Sequence, residues 1–211
     1  MTTCRSMRID ILKPFLISIV IILLTSCATQ RTSTIVGGEY NMSKDETDYF
    51  VIPYGSVVIP GKWEKSHYNT TSRQQFFKNQ DSVFIAISFS RFNKYEFNID
   101  GSLKEYNFVK AYYEWDSQYF IDSHGFKRLP LVCDSTNKYM IYRIYGQIEK
   151  GNFDTYFLIG EKNGNISNYS ISSTDKWTEV EKLNFLINLF LTENKNKTLP
   201  PTPSSKPLIH L

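Results

Sequence analysis

The sequence predicts an α+β sandwich in which helices cover an antiparallel sheet. Three observations predict it. Segments in the middle of the chain alternate apolar and polar residues with the period of two that a half-buried strand requires. Two other segments repeat apolar residues at helical spacing, each after a run of strands. A strand–Asn163-Gly164–strand stretch joins its neighbours through a two-residue turn, and tight turns make antiparallel pairs. Strand runs followed by helices fit one sheet with returning helices better than a doubly wound parallel sheet.

The elements follow in order. Val57-Val58-Ile59 reads as a strand ending at the Pro60-Gly61 turn, with Trp63 beyond it. SVFIAISFS, Ser82 to Ser90, puts Val83, Ile85, Ile87 and Phe89 on one face and Phe84, Ala86, Ser88 and Ser90 on the other. Tyr95 to Ile99 is expected to pair with it. Ser102 to Ile121 lacks Gly and Pro and reads as a helix stopped by Gly125. Leu103, Tyr106, Val109, Tyr113 and Phe120 form its natural core face, with Phe108, Tyr112, Trp115 and Tyr119 on an adjoining one. Tyr112, Trp115 and Tyr119 are therefore a candidate exposed aromatic stripe and binding surface. The plainer reading is that they widen the buried face.

A three-stranded meander follows. Tyr139 to Ile148 alternates, the chain turns at 149–152, and Phe153 to Gly160 returns. Asn163-Gly164 suits a hairpin because both residues tolerate positive φ. Ile166 to Ser172 is the third strand. Thr178 and Glu181 then form a capping box opening a helix with Val180, Leu183, Ile187 and Phe190 in one stripe, flanked by Leu186 and Leu189. Such a wide stripe expects to dock on a sheet, with Trp177 stapling its entry.

The flanks carry different information. Arg5, Arg8 and Lys13 precede an apolar run from Phe15 to Leu24, which ends at Thr25-Ser26-Cys27. A spanning helix needs about 20 apolar residues, so this run is short for one. A basic start, a short apolar centre and a small-residue exit make a secretory signal. Leu24-Thr25-Ser26-Cys27 resembles the bacterial lipobox, which implies that Cys27 takes a diacylglyceryl group and becomes the first residue after cleavage. Either Met1 or Met7 suits the start. One acyl chain binds membranes marginally, at about 0.8 kcal/mol per buried CH₂, whereas two or more hold stably. The position after Cys27 is Ala28, not the Asp that retains enterobacterial lipoproteins at the inner membrane. That resemblance implies the outer membrane, facing the periplasm. The chain thus divides into a signal peptide at 1–26, a flexible tether at 27–48 containing Gly37-Gly38, a domain at 49–193 and a Pro-rich disordered tail at 194–211.

Charge and motifs exclude more than they assign. Without the signal, 21 basic residues face 20 acidic ones, and no basic stripe suggests a nucleic-acid partner. Cys133 alone remains of the three cysteines once Cys4 is removed and Cys27 is alkylated, so no disulfide forms within the mature chain. Behind Leu131-Val132, it reads as a small buried hydrophobe. His67, His124 and His210 lie far apart, without metal-ligand spacing, so no metal or cofactor is expected. G-x-S-x-G, H-E-x-x-H and a phosphate-binding glycine loop are missing. Ser123-His124 adjacency is not a triad, since neighbouring side chains diverge. Asp116, Asp122 and Asp134 read as capping or solvated acids. No catalytic residue is expected.

The order of elements, with Ile59-Pro60-x-x-Trp63 near the start and the Asn163-Gly164 hairpin leading past Trp177 into an amphipathic helix, resembles the PsbP-like fold. That fold is an α/β/α sandwich around an antiparallel sheet, and it also covers bacterial lipoproteins of the DcrB type. The resemblance spans about Tyr49 to Leu191 and is architectural. It implies a non-catalytic assembly factor, accessory subunit or binding module. The function expected is thus a lipid-anchored protein-binding or assembly module of the cell envelope, with an envelope protein as partner. An immunity lipoprotein against a periplasmic toxin, or a small-ligand-binding lipoprotein, fits the same features.

Overall fold

SVFIAISFS becomes most of strand β7 and alternates as expected, yet both of its faces are buried. Ile85, Ile87 and Phe89 point to one side, Ala86 and Ser88 to the other, and all five are at most 8% exposed. The reason is a layer of structure on each side of the sheet. In the computed structural model, residues 34–149 and 151–193 are described; the signal segment, Cys27 and the Pro-rich tail lie outside them.

The elements are β1 (Ile35–Gly37), β2 (Tyr40–Asn41), β3 (Glu46–Ile52), β4 (Gly55–Pro60), β5 (Glu64–Asn69), β6 (Gln74–Lys78) and β7 (Phe84–Arg91). Two 3-10 turns at Phe92–Lys94 and Glu96–Asn98 lead into α1 (Glu105–His124). Then come β8 (Lys127–Asp134), β9 (Tyr139–Ile148), β10 (Gly151–Lys162), β11 (Asn165–Ser172) and α2 (Glu179–Thr192). A seven-stranded antiparallel sheet runs β5-β6-β7-β11-β10-β9-β8. In a second, small sheet, β3 lies between β4 on one edge and β1 and β2 on the other.

Strand parity sorts the core into two. Tyr139, Ile141, Tyr156, Leu158, Tyr169 and Ile171 meet Leu186, Leu189 and Phe190 of α2, together with Tyr49, Val57 and Ile59 of the small sheet. Met140, Tyr142, Ile144, Phe157, Ile159 and Ile166 meet Phe108, Val109, Tyr112 and Tyr113 of α1. The fold class is therefore α+β, an antiparallel sheet with one helix on each face.

Local signals hold where they are strong. The Thr178–Glu181 capping box is formed, with Glu181 N–H donating to Thr178 Oγ1 and Thr178 N–H to Glu181 Oε2. Asn163 and Gly164 take φ of 54° and 79°, as the tight hairpin needs. Gly125 closes α1 in the left-handed conformation, its N–H donating to Ile121. Trp177 packs edge-on to Trp63 at 6.3 Å and to Phe185 at 4.9 Å, stapling α2 to the chain entering β5.

Several expectations are corrected. The tether does not reach residue 48: β1, β2 and the start of β3 occupy its described part. Gly37 and Gly38 are there for close approach, not flexibility. A Cβ on Gly37 would sit 2.3 Å from the Phe50 ring, and one on Gly38 would sit 2.2 Å from the Asp48 carbonyl oxygen. Tyr95 to Ile99 is not a strand but part of the 3-10 turns, because the buried Asn98 side chain captures the local backbone. Its amide donates to Phe92 O and Leu103 O, and its oxygen accepts from Leu103 N–H. On α2 the buried stripe centres on Leu186, Leu189 and Phe190, leaving Val180 64% exposed. Cys133 is exposed, since β8 is an edge strand bulged after Pro130.

Candidate functional site

The helix α1 packs on β8, β9 and β10. Following one lateral row of the sheet beneath it gives Tyr142, Phe157, Ser170 and Ala86, and then Phe76 on β6. The next row gives Met140, Ile159, Asn168 and Ser88. In both rows large side chains under the helix give way to small and polar ones on β11 and β7. The change of size makes a floor beside α1, covered closely enough that Ser88, Asn168 and Ser170 are at most 8% exposed.

Side chains from α1 and the 3-10 turns stand over this floor. Asn168 Nδ2 donates to Tyr112 Oη at 2.7 Å. Tyr142 Oη donates to Asp116 Oδ2 at 2.6 Å, and Tyr95 Oη bonds Ser90 Oγ at 2.7 Å. Burial pushes the Asp116 carboxyl up to about 6, with the Tyr142 hydrogen bond opposing the shift. Burial, reinforced by the Asp116 charge, also holds the Tyr112 and Tyr142 hydroxyls well above the usual phenol range. Asp116 is thus a half-buried acid bonded to Tyr142, not a cap or a fully solvated group.

Not every polar group here is paired. Asn168 Oδ1 is buried without a hydrogen-bond partner. Ser88 and Ser170 are 8% and 6% exposed. Neither side-chain hydroxyl has a partner among the described residues.

The opposite face offers a contrast. Arg143 grips Asp154 through two bonds of 2.7 Å, and Tyr156 Oη donates to Glu179 at 2.9 Å. Arg143 and Lys182 each lie 5.2 Å from the Tyr156 ring, and Tyr169 donates to the buried Glu193 at 3.0 Å. Those groups satisfy one another and hold α2 down, although Ser167 Oγ on the same face is buried without a hydrogen-bond partner.

The expected aromatic stripe is divided by the fold. Tyr112 is only 6% exposed, with its hydroxyl in the buried cluster, so it is not a surface residue. Trp115 is 36% exposed, its Nε1 donates to Glu96 Oε1 at 2.8 Å, and its ring meets Phe97 and Tyr112. Tyr119, one turn on, is 59% exposed beside Phe120 and His124. Trp115 and Tyr119 therefore form a held aromatic edge along α1. Among the described residues no cluster of three metal-ligating side chains occurs, and no helix is long and apolar enough to cross a membrane. Cys27 lies outside the described residues.

Ser88, Asn168 and Ser170 escape a motif search. Their signal is that two strands, SVFIAISFS and NISNYSIS, place small or polar residues on consecutive positions of one alternate face, Ala86-Ser88-Ser90 and Asn168-Ser170-Ser172, beside Phe84 and Ile166. Only the β7–β11 register brings those faces side by side.

No family model matches the chain, and no curated protein is similar to it in sequence. Among solved structures it is similar to the solution structure of cyanobacterial PsbP (CyanoP) from Synechocystis sp. PCC 6803. The TM-score is 0.43 and the identity 9%, over 81% of this chain and 98% of that one. The α+β class rests on the chain's own strands and helices.

Proposed function

We propose that this chain is a lipid-anchored, non-catalytic binding or assembly module of the cell envelope, facing the periplasm from the outer membrane. The observation that carries the binding half is the Trp115–Tyr119 edge. It leaves two aromatic residues in solvent while neighbouring Phe108 and Tyr112 are buried. Aromatic side chains dominate the energy of interfaces. The Trp115–Glu96 hydrogen bond and the surrounding rings fix the indole in advance, so little side-chain freedom is lost on docking. An envelope protein is the partner this reading assigns. The anchoring half rests on the lipobox resemblance of Leu24-Thr25-Ser26-Cys27.

Cys27→Ser tests the anchor. The variant is expected to retain its signal segment and lose acyl labelling in cells, and unchanged labelling would overturn the anchoring.

A further inference from the structure

We propose that the outward face of the small sheet is a lipid-contacting surface that seats the domain on the bilayer holding its anchor, an inference that rests on the lipobox reading of Cys27. Strand alternation gives the small sheet two faces. Thr47, Tyr49, Val57 and Ile59 point inward and are buried, the last three in the core shared with α2. Phe50, Ile52 and Val58 take the alternate positions and stay half-buried. Ile35, paired with Ile52, extends that face onto β1 and is 55% exposed. Val36 beside it, at the sheet edge, is 52% exposed. The Phe50 ring lies over Gly37, which holds it across β1.

The length of the preceding chain says what covers this face. Six residues separate Cys27 from Thr34, and a chain of that length spans about 25 Å when fully extended. That is less than the breadth of about 40 Å expected of a domain this size. The end of the domain that carries β1 therefore stays near the lipid surface, and Ile35 and Ile52 lie at that end. A face so tethered needs little affinity of its own, because a short linker holds it at an effective concentration on the order of millimolar. Apolar side chains gain by entering the boundary between headgroups and acyl chains. Glu46 and Asp48 share the face further along, opposite Pro60 and Val58, and their charge resists transfer out of water. The apolar end thus meets the bilayer while the acidic end remains in water. The small sheet and α2 pack on one side of the seven-stranded sheet and α1 on the other. This seating turns Trp115 and Tyr119 away from the bilayer.

The test places the full lipidated chain, purified from cells, in vesicles of phosphatidylethanolamine and phosphatidylglycerol. An environment-sensitive dye is attached through Ser56→Cys or Tyr119→Cys, each in a Cys133→Ser background. Ser56 stands in the Gly37–Phe50 row of the proposed face. Flotation reads the anchor, and quenching by brominated lipid reads the seating. The chain is expected to float, with the dye at position 56 quenched about threefold or more above the dye at 119. Ile35→Asp should cut the quenching at 56 by about half or more without releasing the protein from the vesicles. Equal quenching at the two positions, or quenching at 56 that Ile35→Asp leaves unchanged, overturns the seating and leaves the anchor standing. A dye at 56 that is shielded from water yet unquenched by lipid means that protein, such as a second copy, covers the face, and overturns the seating too. A chain that does not float removes the anchor, and the seating falls with it.

Discussion

Phe190→Ala is expected to destabilise the domain by about 3–5 kcal/mol, the usual cost of emptying a buried phenylalanine site. Phe190 is fully buried in the last turn of α2, edge-on to Tyr139 at 5.5 Å. Its ring rests on the bare backbone of Gly160 in β10, where an added Cβ would come within 2.2 Å of the ring. Helix α2 can sit this close to the sheet because residue 160 lacks a side chain. Gly160→Ala alone should therefore cost about 1–3 kcal/mol through overpacking. In the Phe190→Ala background the same change should cost much less, since the clashing ring is gone. Urea unfolding of the four proteins of this cycle measures the coupling. Additive costs would mean that Phe190 does not rest on Gly160.

Asp116→Asn is expected to raise stability at neutral pH and to flatten its pH dependence. The folded protein holds the Asp116 carboxyl at about 6 through burial, against 3.8 for an ordinary aspartate. Between these values the folded state binds a proton that the unfolded state has released, so stability falls as pH rises from about 4 to about 6. Above that window the full penalty applies. It is on the order of 3 kcal/mol, because each tenfold change in proton affinity is worth about 1.36 kcal/mol. Asparagine carries no charge, and its oxygen can still accept from Tyr142. Thermal midpoints should match the wild type near pH 4 and exceed it near pH 8. A variant less stable than wild type at both values would show that the carboxylate itself supports the fold.

Much of this architecture was legible where one local signal dominates. The Tyr139–Ile148 strand, the Asn163-Gly164 turn and the Thr178–Glu181 box each carry their chemistry within a few residues. The misses depend on distant partners. β5 reads EKSHYN, exposed at all positions, and is a strand only because β6 pairs with it. β8 contains Pro130, which argues against a strand except at an edge, and an edge is where it lies. Helical spacing placed Tyr112 and Tyr119 on the same face of α1, yet one is buried and the other exposed. What separates them is Asn168, 56 residues beyond Tyr112, which supplies the hydrogen bond that lets a tyrosine hydroxyl go under. Periodicity cannot contain that information.

The proposed contact is between the aromatic edge of α1 and an envelope protein. Placing a photo-reactive amino acid at Tyr119 in the full chain, expressed in its own cells, tests it most directly. Val180, exposed on α2 across the sheet, supplies the comparison position. Irradiation is expected to give a discrete adduct with one envelope protein from position 119 and none from position 180. No adduct at 119, or the same products from both positions, would mean that α1 does not present its aromatic edge to an envelope protein.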